Sequence, residues 1–198
     1  MPNLYIISGC NGSGKTTASY TVLPEMLGCS QFVNSDEFAK SFSPFDPSAA
    51  SISAGRFMLL KIRYLLGRKD DFCIETTLAT RSLMRTIEEA KEYGYRVTLL
   101  YFWIHSADLA VRRVRDRVAA GGHSIPDNVI RRRYDMGLRY FFNDYMPVSD
   151  RWILVDNSQT PFTIIADGDK NKTTILEPDT YGLIWKLAHP AGTATEHD

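Results

Sequence analysis

Short, almost unbroken apolar runs alternate along this chain with longer stretches in which apolar residues recur every three or four positions. The runs at residues 3–8 (NLYIIS), 31–35 (QFVNS), 72–76 (FCIET), 95–104 (YRVTLLYFWI) and 152–156 (WILVD) are rich in β-branched and aromatic residues. Turn residues bound them, so they predict five buried strands. Helices are expected over residues 15–27, about 46–66, 83–93, 108–120 and 124–145. Pro47 stands where a first helical turn tolerates it, and Gly94 and Gly121-Gly122 stand where helices stop. Ser124 and Asp127 have the spacing of a capping box. Residues 162–166 and 173–176 flank Asp167-Gly168-Asp169, which reads as a hairpin turn, and a short helix over 181–187 precedes a polar tail. Strands alternating with helices predict an α/β fold, a parallel sheet of about five strands covered on both faces. Residues 1–198 read as one domain, with an arginine-rich helical pair at about 106–145 and a C-terminal hairpin and helix at about 159–190.

Composition narrows the function classes. Apolar residues make up 44% and charged residues 23%, ordinary values for a folded protein. The 23 basic and 23 acidic residues cancel, which argues against a protein that coats nucleic acid or an anionic membrane. No run approaches 18 apolar residues, and a strand beginning near Asn3 leaves no room for a leader peptide. Cys10, Cys29 and Cys73 lack metal-ligand spacing, so reduced thiols and a cytoplasmic location are expected. The charge is unevenly placed: residues 109–139 carry eight arginines against three aspartates, and no lysine lies between Lys91 and Lys170. Guanidinium forks match phosphate oxygens bidentately, which an ammonium does not.

Residues 9–16 read GCNGSGKT, the G-x-x-x-x-G-K-[ST] pattern, after a strand and before a helix. The backbone amides of Gly9, Asn11, Gly12, Ser13, Gly14 and Thr17 are expected to wrap a triphosphate as an anion nest, aided by the helix N-terminus. Lys15 would reach the β- and γ-phosphates and Thr16 would ligate Mg²⁺. The fold class is therefore a P-loop NTPase, three-layered α/β/α. Asp36, at the carboxyl end of the second strand, faces the crevice where open α/β sheets bind ligands. It is a candidate general base or water-mediated Mg²⁺ holder, with Glu37 as local competitor. Glu75 ends the third strand in the same crevice, as an acceptor contact or a Walker B-like acid. Arg113 and Arg117 share a helix face, and Arg132 and Arg133 follow the GGHSIP loop; together they suggest a lid that clamps phosphate and excludes water. His123 in that loop is expected to be structural or phosphate-bonding. Asp156, Asn157 and Ser158 suggest the base-binding edge, with Asn157 the nucleotide contact.

GCNGSGKT, then NSDEF, then ETTL with Arg81 after it, then RVRDRV-AAGGHSIP-DNVIRRRY, then DNS, together resemble the zeta-toxin-like kinases over roughly residues 3–158. The resemblance implies ATP- and Mg²⁺-dependent phosphorylation of a small-molecule hydroxyl, on a nucleotide sugar such as UDP-N-acetylglucosamine. It makes Asp36 the base, gives Glu75 and Thr77 to the acceptor, and has Arg117 with Arg132 or Arg133 stabilise the transferring phosphoryl group. An inhibitory antitoxin-like partner is compatible with it. Two departures stand out. The family's acceptor-binding arginine, about four residues after the Glu, is Ala79 here, with Arg81 two positions later as the candidate substitute. The GGHSIP lid belongs to a compact branch of unassigned acceptor. Rival readings are a kinase of nucleic-acid ends or nucleosides, which the absence of a basic track disfavours, and an ATP-sensing regulator without turnover.

Overall fold

The computed structural model describes residues 1–26, 28–46, 49–122 and 124–190. Seven strands make one sheet: β1 (Asn3–Ser8), β2 (Gln31–Val33), β3 (Phe72–Thr76), β4 (Arg96–Trp103), β5 (Arg151–Asp156), β6 (Thr163–Asp169) and β7 (Thr173–Ile175). Their spatial order is β2-β3-β1-β4-β5-β6-β7. The first five pair in parallel, and β6 and β7 add an antiparallel edge. The helices are α1 (Lys15–Met26), α2 (Ser35–Phe42), α3 (Ser51–Arg68), α4 (Met84–Glu92), α5 (Ala107–Ala119), α6 (Asp127–Tyr140), α7 (Met146–Val148) and α8 (Pro178–Ala188). A π-helical turn, Phe141–Tyr145, joins α6 to α7. This is the expected P-loop NTPase architecture.

Crossovers between parallel strands are right-handed. The step from β1 to β2 runs one way along the sheet and the steps β2 to β3, β3 to β4 and β4 to β5 run the other. That puts α1 on one face and α3 to α6 on the opposite face. Side chains along the strands obey the same division. Ile6 and Leu99 point into the large core with Leu66 of α3, Ile87 of α4, Val114 of α5 and Leu138 of α6. Their neighbours Ile7 and Leu100 point into a smaller cluster against Ala18 of α1. Every β4 residue after Arg96 is buried, which explains why that strand reads as an unbroken apolar run. The order of strands reverses its progression at β1, so the crevice opens above the carboxyl ends of β1 and β3.

Several sequence expectations need correction. The second strand stops at Val33, and Asp36 lies in the first turn of a helix that hydrophobic pattern did not reveal. Asn34 is the reason: its side chain accepts from the Asp36 amide and caps α2. The helix expected from residue 46 starts at Ser51; Pro47 lies outside the described residues, as do the ends of the first helix at Leu27 and of the chain. The Ser124–Asp127 capping box does not form, because Pro126 occupies the cap position with no side-chain bond. The helix expected over 124–145 gives way to the π-helical turn at Phe141, which keeps Phe141, Phe142 and Tyr145 all facing the core. Asp167, Gly168 and Asp169 belong to β6 rather than to the hairpin turn, which falls at residues 170–172. Gly121 and Gly122 do end α5: their amides donate to Val118 O and Arg117 O, the paired bonds of a Schellman motif.

Candidate active site

After β1 the chain turns through residues 9–14 into α1, and close packing rather than freedom alone demands glycine there. At Gly9 (φ +141°) a Cβ would lie 2.3 Å from Phe102 O, and at Gly14 (φ +83°) it would lie 2.3 Å from Asn157 Nδ2. The turn is braced from the β5 end. Asn157 Nδ2 donates to Ser13 O at 2.7 Å. Arg113 donates to Asn157 O at 2.9 Å, to Ser158 O at 2.8 Å and more distantly to Gly12 O at 3.5 Å. Arg133 Nη1 donates to Asn11 Oδ1 at 2.9 Å. Asp156 accepts from the Ser158 amide, so it shapes this loop. Lys15, only 7% exposed, donates to Cys10 O at 3.0 Å. Burial pushes the Cys10 thiol up to about 11 against the opposing pull of Lys15, so it carries no thiolate at neutral pH.

Glu75 stands in register with Ile7 on the neighbouring β1, one residue before the strand's end. Thr16 Oγ1 donates to Glu75 Oε1 at 2.8 Å, while Oε2 is buried without a partner among the described residues. Burial raises the Glu75 carboxyl above its usual value, opposed by Lys15 and by the Thr16 bond, and Asp36 and Glu37 add to the rise. Asp36 lines the cavity from the first turn of α2, whereas Glu37 pairs with Lys40 at 2.7 Å and does not. No group of three or more His, Cys, Asp or Glu side chains that could hold a metal exists among the described residues. A hydroxyl beside an orphaned carboxylate oxygen fits Mg²⁺ instead, since that ion keeps waters and takes one or two protein ligands plus phosphates.

These groups share one cavity of about 1280 Å³. Arg113, Arg117 and Arg133 line it; Arg132 is exposed and does not. Arg131 pairs with Asp108 and Arg115 with Asp127 across α5 and α6, exposed contacts worth about 0–1 kcal/mol. The helix pair is anchored rather than detached: Leu109, Val111, Ile130 and Leu138 are all in the core. His123 lies outside the described residues. Thr77 lines the cavity, but Arg81 does not: it is exposed, pairs with Asp144 at 2.7 Å and sits 5.2 Å from the Tyr140 ring.

Sequence inspection missed a whole wall. Ile52, Arg56 and Leu59 of α3, with Ser82, Leu83 and Thr86 at the start of α4, complete the cavity. The signal was present in the three- and four-residue spacing of 52, 56 and 59, which shares a helix face. That helix is apolar on several sides, so its pattern did not separate cavity from core.

The chain is similar to one known protein in sequence and to several solved structures in fold. It is 32% identical over 127 residues to an uncharacterized protein of Haemophilus influenzae, a match covering 64% of this chain and 88% of the relative. Its fold is similar to a structure from the PezAT chromosomal toxin–antitoxin system of Streptococcus pneumoniae, with a TM-score of 0.66, 17% identity and coverage of 99% of this chain and 81% of the other. It is also similar to the AvrRxo1-ORF1:-ORF2 complex with ATP, with a TM-score of 0.69, 18% identity and coverage of 100% and 66%. A sugar kinase from Janibacter superposes with a TM-score of 0.55 at 20% identity over 81% of this chain and 88% of that one. The fold is thus a P-loop fold that kinases use. No helix among the described residues is long and apolar enough to cross a membrane. Residues 4–136, which include the P-loop, both cavity carboxylates and Arg133, match the AAA domain family, and the chain belongs to that family.

Proposed function

We propose that this protein is an ATP- and Mg²⁺-dependent kinase that phosphorylates a hydroxyl of a small metabolite, with a nucleotide sugar such as UDP-N-acetylglucosamine as the first candidate. The observation that carries it is the convergence of P-loop, two carboxylates and three arginines on one cavity. A binding module needs no carboxylate beyond the metal-side Glu75, whereas transfer to a hydroxyl needs a proton acceptor, and Asp36 supplies it. Lys15 exchanges Cys10 O for phosphate oxygens, and the loop amides of residues 9–17 hold the triphosphate. Thr16 and Glu75 would hold Mg²⁺, which spreads charge between the β- and γ-phosphates when bound. Arg117 and Arg133 stabilise negative charge on the phosphoryl group in flight. Arg113 and Asn157 act on the nucleotide by holding the P-loop in shape rather than by reaching a phosphate. Thr77 faces the acceptor. The toxin–antitoxin neighbour supports a protein inhibitor as partner, the three free cysteines support a cytoplasmic enzyme, and the neutral overall charge supports one without nucleic-acid or membrane partners.

Incubation with ATP, Mg²⁺ and a panel of nucleotide sugars, followed by mass detection, tests the proposal. A product heavier by one phosphoryl group, formed only with acceptor present, is expected. Tight ATP binding with no acceptor-dependent ADP across a broad hydroxyl panel would turn the assignment toward an ATP-sensing regulator.

A further inference from the structure

We propose that Arg56 and the first turn of α4 form an anion subsite, so that the hydroxyl compound receiving the phosphoryl group itself carries a phosphate or carboxylate. The inference rests on the phosphoryl-transfer reading above and narrows its substrate class. Its starting point is the different employment of the arginines around one cavity. Arg113 spends its guanidinium group on protein carbonyls, and Arg133 holds Asn11 through Nη1. Arg56 lines the same cavity from α3, yet makes no hydrogen bond or ion pair among the described residues. Residues 49–69 contain five cations and no carboxylate, so nothing on its own helix neutralises it. The acids that share the cavity, Asp36 and Glu75, are already assigned to the reacting hydroxyl and to Thr16.

The first turn of α4 adds donors on the same side of the sheet. It has no side-chain cap and no acidic residue, and while the Met84 amide donates to Arg81 O, the amides of Arg85 and Thr86 remain for a ligand. Thr86 in that turn lines the cavity while only 7% exposed, and its hydroxyl has no partner among the described residues. The small exposed part of Thr86 faces the cavity, so its hydroxyl can donate to a ligand there without breaking a protein bond. Residues 77–82, which lead into α4, are fixed in a strained form. Leu78 is buried at φ +57°, and its amide donates to Thr76 Oγ1 at 3.1 Å. Such a backbone costs about 1–3 kcal/mol, and burying a leucine side chain returns about 1.5–3 kcal/mol, so packing can sustain it. Tyr145 Oη donates to Thr80 O at 2.6 Å and Arg81 grips Asp144, which fastens the loop from the π-helical turn. Arg81 is therefore a loop fastener, and Arg56 is the cation that faces the cavity on this side. Ile52 and Leu59 flank Arg56 and offer an apolar seat for the carbon body between that anion and Asp36.

The test uses the full chain saturated with Mg²⁺ and a non-hydrolysable ATP analogue, which blocks the P-loop to other anions. Calorimetry then compares neutral and anionic twins: glucose with glucose 6-phosphate and with glucuronate, and N-acetylglucosamine with its 1-phosphate. At least one anionic twin should bind about tenfold or more tightly than its neutral partner, the scale of a charge-assisted hydrogen bond. Arg56→Gln should erase that preference while leaving the neutral sugar and the ATP analogue unaffected, and Arg56→Lys should restore part of it. A preference for the phosphates alone or for glucuronate alone identifies which anion the site takes. Equal affinities for every pair in the wild type, or a preference that survives Arg56→Gln, would overturn the subsite. Acceptor-dependent ADP release is measured separately. An Arg56-dependent preference without turnover removes the transfer reading and keeps the subsite; neutral acceptors turned over as fast as anionic ones remove the subsite and keep the transfer.

Discussion

At the P-loop end of the cavity most polar side chains bond to the protein: Asn157 to Ser13 O, Arg113 to three carbonyls, Arg133 to Asn11, Thr16 to Glu75 and Lys15 to Cys10 O. At the opposite end, on α3 and α4, Arg56 and Thr86 face the same space with nothing to bind. The difference teaches where specificity resides. A braced loop holds a shape common to all triphosphates, and preorganisation keeps its donors from reorganising when charge arrives. Unengaged donors on separate helices are free to suit one acceptor. Substitutions at the braced end should therefore strike the chemistry of any substrate, and those at the open end should change which substrate is accepted.

The largest effect is expected at the carboxylate between the two ends. Asp36→Asn keeps the size of the side chain and removes the proton acceptor, so kcat should fall about 10²–10⁴-fold with ATP affinity nearly unchanged. Turnover within a few-fold of wild type would take the base assignment away from Asp36. Next come the arginines, where adjacent residues separate the roles. Arg133 lines the cavity and Arg132 does not, so Arg133→Ala should cost about a hundredfold or more in kcat. Arg132→Ala should stay within about twofold, as an exposed substitution away from any site does. Equal losses in the two variants would mean that the helix pair rotates on binding.

A smaller loss is expected from the brace itself. Asn157→Ala leaves Ser13 O without its 2.7 Å partner, at a cost of about 1–3 kcal/mol. That loss should surface as weaker ATP binding, about tenfold, with kcat much less affected. If kcat fell instead while the ATP Kd held, Asn157 would be acting on the reaction and not on the loop.

How much of this was legible beforehand follows from how local each signal is. The P-loop, the five parallel strands and the Gly121-Gly122 stop are written in contiguous residues whose geometry depends on near neighbours. Asp36 lines the crevice from a helix and not from a strand end, because a three-residue strand and an Asn34 cap leave little periodicity to read. Arg81 illustrates the other limit. Its sequence position suits an acceptor contact, but a partner 63 residues away, Asp144, takes its guanidinium. Arg56 was invisible for the complementary reason: only the packing of α3 beside α4 over one sheet face brings it to the cavity, and no short motif encodes that.

The finest test concerns Glu75, the group at which the braced end meets the reacting space. Burial raises its carboxyl pKa, so the folded state holds a proton that the unfolded chain has already lost in the window above the usual carboxylate value. Native protein binding more protons than unfolded means that stability falls as pH climbs through this window, and the ionised group weighs on the empty site at neutral pH. Glu75→Gln retains an oxygen that can accept from Thr16 and cannot ionise. Its Tm should gain a few degrees relative to wild type between pH 4 and pH 8, while acceptor phosphorylation is lost. Saturating Mg²⁺ with an ATP analogue should reverse the order, because the carboxylate then has the cation beside it. A Tm difference constant across that pH range would show that the carboxyl titrates alike in both states, and burial in the empty site would then not be what raises it.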